Sequence, residues 1–205
     1  MLAVENTLLV LLAAGKSRRF GGIGSKLDQE FLGKPLGLHV AVALEEVPFK
    51  ERIAVVGGQT LDYGQHGFRV AYNPDRDAGM ATSVQIGVRH AHALGAEAVL
   101  IALADMPRVT AAHIFRMFEA SEGEMTIVAS SDGGAPKPPA LFGRGQFQCL
   151  LDLAGDTGAR ALVKGGRHVV TTPEELIDVD TPRELERLRV LVHAPDAITC
   201  PASPA

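Results

Sequence analysis

Residues Leu8 to Ala14 read LLVLLAA, an apolar run with no polar side chain, and Gly15, Lys16, Ser17, Arg18 and Arg19 follow at once. Seven residues are short for a helix and suit one strand buried on both faces, as in the centre of a parallel sheet. The loop continues through Gly21, Gly22 and Gly24 to Lys26. A buried strand that empties into small and cationic residues leaves backbone N–H groups and positive charge open to a phosphate chain. We read the loop as a triphosphate cradle; an ordinary glycine-rich turn with solvated arginines is the competing account. Two known phosphate loops do not fit. A Walker loop needs glycine five residues before Gly15, where Val10 stands, and Gly22 and Gly24 are followed by Leu27, not by the third glycine of a dinucleotide fingerprint.

The rest of the chain repeats the strand-then-loop pattern. Strands are expected at Arg52–Gly57, Phe68–Tyr72, Ala98–Ala104, Thr126–Ala129 and His168–Thr171. Helices are expected from near Pro35, over Ala81–Leu94, after a Thr110 cap, through Cys149–Leu153, after a Thr157 cap, and after the Thr181-Pro182 pair. Alternation of this kind predicts an α/β fold: a single Rossmann-like three-layer domain, with a mostly parallel twisted sheet and helices on both faces. We assign residues 1–193 to that domain and 194–205 to a disordered Ala/Pro tail. Aromatic residues are 5% of the chain and Trp is absent, which favours close helix-on-sheet packing.

A net charge of −4 argues against a general nucleic-acid or membrane-surface binder, so the positive charge of the first loop is local. No segment approaches the roughly 18 apolar residues of a membrane span. The two cysteines, Cys149 and Cys200, show no metal-ligand spacing, and a reducing compartment, the cytoplasm, is expected. The seven histidines show no paired spacing and are expected at the surface.

Ligands of open α/β sheets lie beyond the carboxyl ends of the strands. The first strand delivers Ala13, Ala14 and Gly15, the strand ending at Ala104 delivers Asp105, and a late turn delivers Asp178 and Asp180. A triphosphate loop with two separated carboxylates is what Mg²⁺-assisted phosphoryl chemistry needs. Asp105 could instead cap the turn before Pro107, and Asp180 could be only a neighbour of the last helix cap.

The stretch LAAGKSRRFG from Leu12 to Gly21, then Lys26 and Gly33-Lys34-Pro35, resembles the LAAGxSxRxG…K…GxP signature of MobA-like nucleotidyltransferases. Asn73-Pro74, Gly79-Met80 with Ser83, the segment from Leu103 to Pro107, and the segment from Asp178 to Pro182 follow in the family's order. Pro139–Val163, with its GDTGAR, is similar to the molybdenum cofactor cytidylyltransferase (MocA-type) branch. Ala81 departs from a serine common in that branch, and Lys137-Pro138-Pro139 from its usual His-Pro-Val.

The resemblance implies the nucleotide-diphospho-sugar transferase type of fold and the transfer of a nucleotidyl group to an acceptor phosphate, with release of pyrophosphate. It implies that Arg19, Lys26 and Asp105 are catalytic. Leu12, Ala13, Ala14, Gly15, Lys16, Ser17, Arg19, Lys26, Gly79, Met80, Ser83 and Asp105 would bind the nucleotide, although Gly79 could merely start a helix. Asp105 and Asp180 would hold Mg²⁺, with Asp178 the less favoured ligand, and Arg160 would face either the acceptor or a surface carboxylate. The Ala13-Ala14-Gly15 form favours CTP over GTP, and molybdopterin is the expected acceptor, with a molybdoenzyme or its chaperone receiving the product. A guanylyltransferase, a transferase to another phosphorylated alcohol, and a non-catalytic nucleotide- or cofactor-binding accessory protein are the alternatives.

Overall fold

The computed structural model describes residues 1–21, 24–58, 61–155 and 159–193. Its strands are β1 (Thr7–Ala13), β2 (Glu30–Phe31), β3 (Lys34–Pro35), β4 (Glu51–Val56), β5 (Arg69–Tyr72), β6 (Ala98–Leu103), β7 (Ile127–Ser131), β8 (Lys137–Gly143) and β9 (Arg167–Val170). Its helices are α1 (His39–Ala43), α2 (Met80–Ala93), α3 (Ala111–Glu119), α4 (Phe147–Leu151), α5 (Arg160–Lys164) and α6 (Pro182–His193). Seven strands form one sheet in the order β5-β4-β1-β6-β8-β7-β9, and β2 and β3 form a separate small hairpin. Every neighbouring pair in the large sheet is parallel except the two that involve β8, which runs antiparallel to both β6 and β7.

β1 is buried at all seven positions because it lies in the middle of the sheet with helices over both faces. Its side chains alternate. Leu9, Leu11 and Ala13 join the core that takes Val40 of α1 and Ile114 and Met117 of α3. Leu8, Val10 and Leu12 join the core beneath α2, α4 and α5, with Val84, Val88, Phe147, Leu150 and Val163. The result is a three-layer single α/β domain. Leu8, Leu9 and Leu11 are fully buried, each a gain of about 2 kcal/mol over exposure. α2 lies so close on β1 that a Cβ at Gly87 would stand 2.5 Å from a Val10 methyl.

A third, smaller apolar cluster joins the two ends of the chain. Phe20 from the first loop, Phe31 and Leu36 from the hairpin region, and Val179, Leu185 and Leu188 from the last segment pack together. α6 starts as expected: the Thr181 hydroxyl accepts from the Glu184 N–H at 3.2 Å, and the Glu184 carboxylate accepts from the Asp180 N–H at 2.9 Å.

A helical turn starts at Leu36, directly after Pro35 at the end of β3, as expected. Three local expectations change. The apolar spacing of Leu36, Val40, Ala41 and Leu44, all buried, is helical, but the first turn is 3-10 and the α-helix is a single short turn. The expected helix at Cys149–Leu153 runs earlier, Phe147–Leu151, because the preceding extended start is a full strand, β8. His113 is not at the surface: it is fully buried in α3, where Ser130 Oγ lies 2.7 Å from its Nε2. Cys149 is free and exposed; Cys200, the Thr157 cap and the tail 194–205 lie outside the described residues.

Candidate functional site

β1 and β6 are parallel neighbours, so their carboxyl ends deliver Ala14-Gly15 and Asp105 side by side. The Ala104 N–H donates to Leu12 O at 3.1 Å, which locks the two strand ends together. The late segment joins them through its main chain, the Val179 N–H donating to Asp105 O at 2.9 Å, with the Val179 side chain fully buried. Asp178 and Asp180, on either side of Val179, therefore arrive beside Asp105. Leu12, Ala14, Gly15, Asp105, Asp178 and Asp180 line one cleft of about 600 Å³.

The first loop is shaped by its own contacts. Ser17 takes a left-handed backbone, φ 51°, unusual for a residue with a side chain. Its hydroxyl accepts the Lys26 N–H at 2.9 Å, so the two ends of the loop are pinned together. A Cβ at Gly15 would meet nothing within 4 Å, so the space above that backbone is open.

Lys26 is buried, 6% exposed, and its ammonium donates to Asp105 Oδ2 at 2.6 Å and to Asp180 Oδ1 at 2.8 Å. Arg19 donates to the other Asp180 oxygen at 2.5 Å. Burial alone would push the Lys26 ammonium down, but Asp105 and Asp180 outweigh it and hold its pKa above the ordinary value. Burial pushes the Asp105 carboxyl up; Lys26 opposes the shift, while Asp178 and Asp180 add to it. For Asp180 burial also acts upward, yet Lys26 and Arg19 prevail and hold it below the usual carboxylate range. Three carboxyl groups and two cations share this corner.

Asp105 Oδ1 is buried and has no hydrogen-bond partner among the described residues. An unpaired carboxylate oxygen beside two further carboxylates fits a hard divalent cation, whose other positions would be filled by phosphate oxygens and water. Among the described residues no group of three or more His, Cys, Asp or Glu is arranged to hold a metal ion alone.

The opposite wall comes from the start of α2 and from α5. Gly79, φ 101°, makes the turn into α2 that a residue with a side chain would resist, and Met80 and Ser83 follow on the cleft side. Arg160, exposed at the start of α5, also lines the cleft. The structure thus brings every candidate residue to one cavity: Leu12 to Ser17, Arg19 and Lys26 on one side, Gly79, Met80, Ser83 and Arg160 on the other, and Asp105 and Asp180 between. Lys16 pairs with Asp77 across the mouth.

Arg76, Asp77 and Lys137 line the same cleft and were missed in the sequence. Arg76 donates to Gly57 O at 2.5 Å and also lines an adjoining recess of about 310 Å³. Its position just beyond β5, at the carboxyl edge of a parallel sheet, is the signal that could have found it.

With that geometry in place, comparison with known proteins is direct. The chain belongs to the MobA-like NTP transferase family, whose model matches residues 9–172; it is a nucleotidyltransferase of that family. It is 32% identical over 197 residues to the purine catabolism protein PucB of Bacillus subtilis, covering 88% of this chain and 94% of that protein. Among solved structures it is similar to a nucleotidyl transferase from Methanothermobacter, with a TM-score of 0.76 at 21% identity over 93% of this chain and 99% of that one, a likeness of fold. It is also similar to Rv0371C of Mycobacterium tuberculosis in complex with manganese, with a TM-score of 0.69 at 25% identity over 89% of this chain and 97% of that one. No helix among the described residues is long and apolar enough to cross a membrane.

Proposed function

We propose that the protein is a Mg²⁺-dependent cytidylyltransferase that moves CMP from CTP to the phosphate of molybdopterin and releases pyrophosphate. The observation that carries the reading is the buried Lys26 ammonium held between Asp105 and Asp180 at the floor of the cleft that the first loop opens. Family membership supports the transfer reaction, and the MocA-type segment Pro139–Val163 supports the acceptor. We place the work in the cytoplasm, with the product passed to a molybdoenzyme or its chaperone. The likeness to PucB supports a purine-catabolic setting.

The small residues Ala13, Ala14 and Gly15 let the nucleotide approach the backbone closely. Arg19 and Lys26 stabilise negative charge as it moves onto the leaving pyrophosphate, and removing one such donor costs about a hundred- to a thousandfold in rate. Asp105 and Asp180 would hold Mg²⁺, and the bound ion would supply positive charge against the phosphates. Arg160 and Lys137 draw the acceptor phosphate into the other end of the cleft. A phosphate dianion is already a nucleophile near neutral pH, so no side chain need act as general base.

The test is to combine the protein with Mg²⁺, molybdopterin and either CTP or GTP, follow pyrophosphate, and identify the product by mass. A CMP adduct of molybdopterin supports the whole reading; a GMP adduct corrects the nucleotide. Turnover only with another phosphorylated alcohol corrects the acceptor. Nucleotide binding without pyrophosphate release in any combination leaves the accessory-protein account.

A further inference from the structure

Asn73 is 1% exposed, stands outside the cleft wall, and has no part in the reaction described above. Its side-chain oxygen accepts the Asp75 N–H at 2.9 Å, so its amide nitrogen must face the other way. That nitrogen has two hydrogens, and both are placed: one goes to Thr82 Oγ1 at 2.9 Å and one to Ser83 Oγ at 2.8 Å. The Asn73 N–H in turn donates to Val56 O at 2.8 Å, fixing the residue to the end of β4. The direction of every bond follows, because an amide nitrogen only donates.

Both hydroxyl oxygens are therefore acceptors toward Asn73, and each must use its own hydrogen elsewhere. Thr82 has acceptors within reach, Gly79 O at 2.9 Å and Asp75 O at 3.1 Å. Ser83 has none among the described residues, and it is 5% exposed on the cleft wall. With its oxygen taken from behind by Asn73 and no acceptor among the described residues, this hydroxyl on the cleft wall has its hydrogen free for a group in the cleft.

We propose that Asn73 is a positioning residue that occupies the inward side of the Ser83 oxygen and so turns its hydrogen toward the cleft, where the nucleotide group it meets is an acceptor, such as a ring nitrogen or carbonyl of the base. This deepens the proposed function and rests on it, since it takes the cleft ligand to be a nucleoside triphosphate. It assigns the selection to a residue that never touches the ligand. A hydroxyl oriented in this way favours a base edge that presents an acceptor over one that presents N–H, which it could meet only by rotating its hydrogen away and using its second lone pair.

Asn73→Asp tests the polarity with little change of shape. The carboxylate still accepts from Asp75 N–H, but it now accepts from Ser83 as well, which turns the serine's lone pairs into the cleft. We expect Ser83→Ala to weaken CTP binding about fivefold to tenfold, the loss of one hydrogen bond. Asn73→Asp should weaken it about a hundredfold, because acceptor then faces acceptor. In the Asn73→Asp, Ser83→Ala double variant the hydroxyl is gone, so most of the Asn73→Asp loss should vanish. Binding is read by calorimetry on proteins with matched melting temperatures.

A loss that is the same with and without the serine hydroxyl means plain charge repulsion and overturns the proposal. So does an Asn73→Asp protein that binds like wild type. Wild-type protein that binds no nucleoside triphosphate overturns the proposed function and this inference with it. Wild-type binding with equal Asn73→Asp losses in both backgrounds overturns this inference alone.

Discussion

Two polar clusters in the molecule differ in one respect. Under α3, His113, Ser130, Arg116 and Glu175 close on themselves. His113 Nε2 lies 2.7 Å from Ser130 Oγ, and Ser130 donates to Pro139 O at 2.8 Å. Arg116 donates to His113 Nδ1 at 3.2 Å and to Thr171 Oγ1 at 3.0 Å, and Glu175 takes hydrogen bonds from Thr110 and Thr171. At the floor of the cleft the cluster of Lys26, Asp105 and Asp180 is not closed: Asp105 Oδ1 has no partner among the described residues. The first cluster finishes its hydrogen bonds within the protein and serves stability. The second keeps an acceptor in reserve for something that arrives from outside.

The sharpest way to break that contrast is Asp105→Ala. Turnover should fall by at least about a thousandfold, with the melting temperature preserved; undiminished pyrophosphate release would return Asp105 to a turn-capping role. Next is Lys26→Met. It should lower the rate about a hundredfold or more, well beyond its effect on nucleotide binding. It also leaves two carboxylates facing each other, at a cost of about 2 kcal/mol in denaturant melts. Added Mn²⁺ should restore that stability; failure to do so would show that the corner does not take a cation.

In the closed cluster the expectations reverse. Ser130→Ala leaves the His113 N–H and Pro139 O unpartnered and should destabilise by about 2 kcal/mol, with kcat changed less than about twofold. A collapse of kcat at normal stability would make this cluster part of the site. The smallest effect is one of pH. Burial holds the His113 pKa below 6.5 in spite of Glu175, and Arg116 adds to the shift. The unfolded chain therefore takes up a proton first, and stability should decline as pH falls below about 6.5. His113→Gln should flatten that part of a stability-against-pH profile.

What the sequence made legible was whatever a single segment carries. The LLVLLAA run followed by Gly15 announced a central strand and its ligand edge, and Asp105 stood out because it ends an equally apolar strand. Thr181-Pro182 announced the start of α6. The rest depends on residues distant along the chain. Lys26 meets Asp105 and Asp180 across separations of 79 and 154 residues, and no local pattern encodes which carboxylates a lysine will bridge. His113 offered only a lone imidazole in an amphipathic helix; its burial depends on Ser130, in a strand 17 residues on. The antiparallel β8 was obscured by Pro138 and Pro139, which lack the N–H groups of ordinary strand residues.

The apolar knot of Phe20, Phe31, Val179, Leu185 and Leu188 has a consequence for the timing of biosynthesis. A ribosome releases Arg19 long before Asp180, its partner 161 residues later. Until that carboxylate and α6 emerge, Arg19 lacks its counter-charge and Phe20 lacks the cover of Val179, Leu185 and Leu188. A nascent chain thus has no finished cleft to offer until Asp180 and α6 have been made.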